Sequence, residues 1–281
     1  MTANARRTIR AYYQNSAERE ATRLDSSYRR IELRVWTQIL KSLPIVRGPR
    51  RILDLGCGPS PVSLRLGLGS ENLILVDFAA SLFDLLPPSA PPCVCADAVN
   101  LPFPRDYFDL VLASGPFYHL PNSGERAGAS LELLRVLRPG GVAVVTGLNP
   151  TGVAAAKLGE VNLDAATIVR SIALQKKLGG LLPAGALGDF PDAFVTHPKR
   201  LASELASAGF IVRSIVGLQG GMGLLRRPLA RIALMCPRCY ELWSTFAVRY
   251  CRSFASILLS EHFSVVVEKP LDTTTTDVRH C

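Results

Sequence analysis

Three aspartates and a glycine turn supply the first chemistry in this chain. Asp54 stands just before "GCG", Asp77 closes the apolar run "NLILVDF", and Asp97 follows "PPCVCA". Gly56 and Gly58 allow the backbone to pass close to a ligand, and a helix opening after them favours negative charge. Carboxylates at the ends of neighbouring parallel strands face one crevice, an arrangement suited to a nucleoside carrying a cation. Either Asp54 or Asp97 alone could simply cap a following turn; their joint register is what points to a ligand. A fourth apolar run, "DYFDLVLA", opens into "SGPFYHL", which brings Ser114, Gly115, Tyr118 and His119 to the same end. With an unperturbed pKa of about 6.5, His119 is typed for a base toward an acceptor that must lose a proton. Orienting a substrate or cofactor, and plain packing, are the other two readings of that side chain.

The elements that must hold these residues alternate. Strands are predicted at 50–55, 72–78, 91–97, 107–114 and 142–148, with a helix at about 123–138 that stops at "PGG". This alternation implies an α/β fold with a mostly parallel sheet and helices on both faces. Further on, a helix over 196–210, a strand over 211–218, a helical segment at about 236–258 and a last strand over 263–269 complete a seven-stranded, Rossmann-like sheet. Residues 1–45 read as an N-terminal helical arm, with Tyr12, Tyr13, Tyr28, Ile31, Val35 and Ile39 near helical spacing. Residues 46–270 read as the main domain, 150–195 as a lid-like insertion with a possible helix at 162–178, and 271–281 as a disordered tail.

With 281 residues, 48% of them hydrophobic, the chain can bury one sizeable core. Its seven scattered cysteines and the absence of a charged-then-apolar leader pattern point to a reducing, cytoplasmic compartment. The uncharged stretch 139–156 is broken by Pro and Gly, so no membrane span and no membrane partner are expected. The formal charge of +9 leaves nucleic acid open as a partner, but much of the arginine is interleaved with acids in the first fifty residues, the pattern of a solvated face. The dinucleotide fingerprint Gly-x-Gly-x-x-Gly fails at Pro61. "CPRC" (236–239) lacks a second pair at metal-ligand distance, and its apolar neighbours suggest buried, inert cysteines; no metal is expected.

Taken together, "ILDLGCGPS", "LVDF", "CADAVNLPF", "FDLVLASGPFYHL" and "RVLRPGGVAVV" resemble, in order and spacing, the class I S-adenosylmethionine-dependent methyltransferases. More narrowly, "YYQNSAEREATRL", "GPFYHL" and "SEHFSVVVEKP" are similar to a small-molecule branch whose usual wording is Gly-Pro-Leu-Tyr-His-Leu. The resemblance implies S-adenosyl-L-methionine as cofactor and a role for each matching residue. Asp54 would orient the methionyl end, directly or through water, with Gly56 and Gly58 against it. Asp77 would accept both ribose hydroxyls. Phe78 would flank the adenine, although core packing is an equal reading. Asp97 would accept from the adenine amino group and the Ala98 N–H would donate to the ring. Ser114 and Gly115 would offer carbonyls to the ammonium. Tyr12 and Tyr13 would fold over the cofactor, or else staple the arm to the sheet. Ser60 replaces the family's last motif glycine and fits there if its backbone angle is helical.

The resemblance and the apolar, Phe190- and Phe194-containing insertion favour a small organic acceptor, methylated on O or N. The word "SGPF" lacks the leading amide or carboxylate seen in enzymes that methylate base amines. A nucleic-acid methyltransferase using the basic arm and a non-catalytic cofactor-binding protein are the alternatives; the oligomeric state is not legible.

Overall fold

The computed structural model describes residues 3–43, 50–158, 179–182 and 192–271. Its centre is a sheet built from apolar runs. Strands β1 (Ile52–Leu55), β2 (Leu73–Asp77), β3 (Cys93–Cys95), β4 (Phe108–Ala113) and β5 (Leu137–Leu148) lie parallel in the order β3-β2-β1-β4-β5. Asp54 pairs in register with Leu75 and with Leu112, and Asp77 with Cys95, so the candidate acids leave the sheet at one edge. Strand β9 (His262–Glu268) runs antiparallel along β5, and β8 (Ile211–Gly217) antiparallel along β9. These seven strands are the ones anticipated from sequence. A short hairpin, β6 (Gly179–Leu182) and β7 (Ala193–Thr196), adds two more and touches the end of β5 through Leu148 and Val195.

Alternation along each strand feeds two cores. Leu110, Leu112, Val142 and Val144 point to one face, where they meet Ile31, Val35, Trp36 and Ile39 of helix α3 (Ser27–Lys41). Phe108, Val111, Ala143 and Val145 point to the other, against Ala129 and Leu133 of α5 (Ser123–Val136) and Leu201 and Leu205 of α7 (Pro198–Ser207). Each Leu, Ile or Val buried in this way contributes about 1.5–3 kcal/mol. Helix α3 starts where the Ser26 Oγ accepts from the Arg29 N–H, and α5 where the Asn122 carboxamide accepts from Gly124 N–H.

Ahead of α3 lie α1 (Ala3–Asn15) and α2 (Ala17–Ala21), and after β1 the short α4 (Val62–Arg65). Helix α6 (Pro150–Leu158) follows β5. The helical segment anticipated at 236–258 is two helices, α9 (Pro237–Arg249) and α10 (Phe254–Leu259), preceded by α8 (Arg226–Met235). The possible helix at 162–178, Phe190 and the tail from 272 onward lie outside the described residues. Among the described residues no helix is long and apolar enough to cross a membrane.

Candidate active site

A cavity of about 530 Å³ opens where β1, β2, β3 and β4 end. At its floor two loops meet almost backbone to backbone. Gly56 has φ +69°, and a Cβ there would lie 2.7 Å from Pro116 Cδ; a Cβ on Gly115 would lie 2.9 Å from the Gly56 carbonyl oxygen. Only glycine satisfies both demands at Gly56, which is why the "GCG" turn can sit against "SGP". Ser60 is outside the left-handed region, since Asp106 is the sole non-glycine with positive φ among the described residues. An L-residue is therefore tolerated at that motif position.

All three acids accept backbone N–H groups. Asp54 is fully buried, and its Oδ2 accepts from the Ser63 N–H at 2.9 Å and the Ser63 hydroxyl at 2.6 Å. Burial pushes its carboxyl up to about 6, with the two Ser63 bonds acting the other way. Its Oδ1 is also buried, and the Ser114 side chain acts in the same direction as Ser63. Asp77 accepts from Gly58 N–H and from Ala79 N–H, each at 3.0 Å; burial raises its pKa and these backbone bonds oppose the rise. Asp97 accepts from Val99 N–H at 3.2 Å and pairs with Arg6 at 2.9 Å.

The arm crosses the site with one face of α1. Arg6 reaches Asp97 after β3, Arg10 donates to the Phe78 carbonyl after β2 at 3.2 Å and covers its ring, and Tyr13 meets His119 after β4. Residues 6, 10 and 13 share a helical face, so about two turns of helix fasten three strand-end loops. Tyr12 bonds instead to Glu20 and Arg19, with its ring edge to face with that of Tyr13. Asp54 and Tyr12 do not line the cavity; Tyr13, Gly56, Gly58, Asp77, Phe78, Asp97, Ala98, Ser114, Gly115, Tyr118 and His119 do.

His119 is buried, and burial lowers its pKa to about 4 against the effect of a hydrogen bond with the Asp192 backbone. Its Nε2 lies 2.7 Å from the Tyr13 hydroxyl. Tyr118 sits between two histidines, its ring centroid 4.7 Å from that of His119 and 6.0 Å from that of His262.

His262 belongs to a buried network that residue patterns did not reveal. Arg29 donates to Glu32 at 2.9 Å, to Glu261 at 3.2 Å and to His262 Nδ1 at 2.8 Å. Burial works against the Arg29 charge, and Glu261 and Glu32 outweigh it. Gln219 accepts from the His262 backbone N–H at 2.9 Å, so its amide nitrogen faces Glu32 and His262 Nδ1. Arg and an amide NH₂ can only donate, which leaves Nδ1 as the acceptor and puts the imidazole proton on Nε2. Arg29, Glu261 and His262 all line the cavity. These residues come from positions 29, 32, 219, 261 and 262; the local signals are the Arg-x-x-Glu spacing on α3 and the Glu261-His262 pair in "SEHFSVVVEKP".

Cys236 is half-buried and Cys239 exposed, a correction to the expectation that both are buried. They sit at the start of α9, whose flanking apolar residues Met235 and Leu242 are themselves exposed. Among the described residues no cluster of three or more His, Cys, Asp or Glu is placed to hold a metal ion.

A Rossmann-like sheet whose strand-end acids and glycine turn line one cavity defines a nucleoside-cofactor domain. Residues 53–145 match the family model described as "Methyltransferase domain". A demethylmenaquinone methyltransferase of Thermus thermophilus is 30% identical over 194 residues, 63% of this chain and 82% of that protein. The tRNA (carboxymethyluridine(34)-5-O)-methyltransferase of Arabidopsis thaliana is 30% identical over 112 residues, 40% of this chain, and the chain spans only 27% of its length. In fold, the chain is similar to a Burkholderia thailandensis 1,6-didemethyltoxoflavin-N1-methyltransferase, with TM-score 0.55, 13% identity and coverage of 96% of this chain and 91% of that one. The chain belongs to the class I S-adenosylmethionine-dependent methyltransferases.

The residues present fit that cofactor. The open space at Gly58, where an added Cβ would meet nothing within 4 Å, and the carboxylates of Asp77 and Asp97 on the cavity wall are what a nucleoside carrying a cation requires.

Proposed function

We propose that the chain transfers a methyl group to an oxygen or nitrogen of a small organic acceptor. The observation that carries this reading is the lining of one cavity. Strand-end acids and glycines form part of it. Leu148, Val153 and Ala156 add an apolar wall, with Tyr118, His119, His262, Arg29 and Glu261 among the polar groups. A few placed polar groups on an apolar wall, in a volume of this order, are the features of a small-molecule site.

Bound S-adenosylmethionine supplies an electrophilic methyl group on a sulfonium. The chain's residues position and exclude water. Asp77 holds the ribose end, Asp97 and Ala98 the adenine edge, Phe78 its face, and the Ser114 and Gly115 backbone the ammonium. Asp54 acts from behind the glycine turn, through water or by fixing the turn itself. Tyr13 closes the arm over the site through His119. His119 is a positioning residue in this reading: its buried imidazole is tied to Tyr13 and to the Asp192 backbone. His262, with its proton on Nε2, offers a hydrogen bond to an acceptor oxygen. In-line transfer then depends on orientation and on keeping the site dry.

The test is transfer of labelled methyl groups to phenols, amines, reduced naphthoquinones and bulk tRNA. The naphthoquinones follow from the demethylmenaquinone relatives and the tRNA from the Arabidopsis one. Labelling of at least one small-molecule class supports the reading. Labelling of tRNA alone overturns it in favour of a nucleic-acid acceptor, and cofactor binding without transfer to anything overturns it in favour of a binding protein.

A further inference from the structure

Among the described residues, half of the large apolar side chains that stand in solvent come from one short segment. Leu234 and Met235 are 85% and 84% exposed, Leu242 and Phe254 both 73%. Trp243, Phe246 and Tyr250 are also exposed, and their rings meet in sequence, Trp243 edge to face with Phe246 at 6.2 Å and Phe246 tilted against Tyr250 at 4.5 Å. On α9 the pattern is two-sided. Tyr240, Ser244 and Ala247 are buried and face α3, where the Tyr240 hydroxyl donates to the Ser27 carbonyl. Leu242, Phe246 and Tyr250, four residues apart, form the outward stripe with Trp243 beside it. An exposed apolar stripe of this kind marks an interaction surface.

Charge selects the partner. Between positions 226 and 254 the chain has six arginines and a single acid, Glu241. That acid is held bidentately by Arg34, at 2.7 and 2.6 Å. Arg231, Arg238, Arg249 and Arg252 are exposed. At 100° per residue Arg238 and Arg249 lie along one margin of the apolar stripe. An isologous contact between two copies would set these arginine margins against each other across the two-fold axis. An anionic lipid surface is complementary to both parts: the Leu, Met and Phe side chains enter the acyl boundary, Trp243 and Tyr250 sit at headgroup level, and the arginines meet the phosphates.

We propose that α8 to α10 rest on the surface of an anionic bilayer through Met235, Leu242, Trp243, Phe246 and Phe254, without crossing it. This departs from the sequence expectation of no membrane partner, which rested on the absence of a spanning segment. It is independent of the acceptor. The patch adjoins the site through Ser27, one position beyond Ser26 of the cavity wall, so a docked molecule would hold the cavity close to the bilayer.

The test uses the full-length chain with vesicles of phosphatidylcholine, and of phosphatidylcholine mixed with phosphatidylglycerol. Sedimentation with the mixed vesicles, and weaker sedimentation with the neutral ones or at high salt, is expected. The chain has two tryptophans and Trp36 is fully buried, so emission should shift to the blue through Trp243. Trp243→Ser with Phe246→Ser, and separately Arg238→Glu with Arg249→Glu, should each lower partitioning roughly tenfold or more while thermal melting stays unchanged. Failure of the wild type to sediment with anionic vesicles overturns the proposal. So does equal sedimentation of the Ser variant, or a concentration-dependent dimer abolished by that variant, which would assign the patch to a second copy. Cofactor binding is measured on the same samples and reports on the methyltransferase reading separately.

Discussion

The Tyr13 hydroxyl and His119 Nε2 stand 2.7 Å apart across 106 residues of sequence and join the arm to the loop after β4. Their rings meet edge to face at 5.4 Å. Removing the hydroxyl by Tyr13→Phe leaves a buried imidazole nitrogen without that bond, a cost of about 1–3 kcal/mol. Cofactor affinity should therefore fall roughly fivefold to a hundredfold by calorimetry, with the sheet intact by circular dichroism. Unchanged affinity would show that arm closure does not depend on this contact.

His119 is held neutral down to about pH 4 by burial. The rate at saturating acceptor should then show no acidic limb near the ordinary histidine value of about 6.5. A limb at that position, abolished by His119→Gln, would restore His119 as a base.

Among the described residues Arg29 is the sole cation bonded to buried Glu32, and it also bonds Glu261 and His262. Replacing it with methionine strands a buried carboxylate and should cost about 3–5 kcal/mol in chemical denaturation. His262→Asn is milder: it should raise KM for the acceptor several-fold and leave S-adenosylhomocysteine affinity unchanged. Nitrogen-15 spectra of the wild type should report the His262 proton on Nε2; the opposite tautomer would contradict the network as described.

Acid sensitivity follows from the same buried groups. Burial holds His119 near 4, and burial with the Arg29 charge does the same to His262, whereas unfolded histidine titrates at about 6.5. Between about pH 4 and 6.5 each imidazole binds a proton in the unfolded chain that it refuses in the folded one, so stability is present above that window and lost as pH falls through it. Asp54, pushed up to about 6, has the opposite sign: the folded chain keeps a proton there that the unfolded chain releases, stability lost as pH rises toward 6. Asp77, also raised by burial, has the sign of Asp54, whereas Glu32, which Arg29 and Arg23 lower against burial, has the sign of the histidines; the three outweigh the two. The melting temperature should fall on acidification from about pH 6.5 to about pH 4; a flat or rising profile contradicts this assignment.

Gly56→Ala should fail in binding before it fails in folding. The new Cβ would lie 2.7 Å from Pro116 Cδ at a φ of +69°, which forces the two floor loops apart. Loss of cofactor binding with a retained melting transition is the expected pair of results.

The sheet was legible because its strands are apolar runs ended by Gly, Pro and Asp, a pattern that depends only on neighbours in sequence. The strand-end acids were legible for the same reason. The Arg29, Glu32, Gln219 and His262 network was not, because its members meet only after β9 has inserted beside β5. The hairpin of β6 and β7 escaped because "GGLL" lacks the β-branched residues that mark a strand. The environment of Cys236 and Cys239 was misread since apolar neighbours imply burial only where those neighbours are themselves buried.

The central claim is that the cavity at the ends of β1 to β4 binds S-adenosylmethionine with Asp77 on its ribose. Calorimetry with S-adenosylmethionine and S-adenosylhomocysteine on wild type and Asp77→Ala tests it directly. The account predicts one site in the wild type and at least roughly tenfold weaker binding in the variant, the loss of two charge-assisted hydrogen bonds. No binding by the correctly folded wild type, or equal binding by Asp77→Ala, would contradict it.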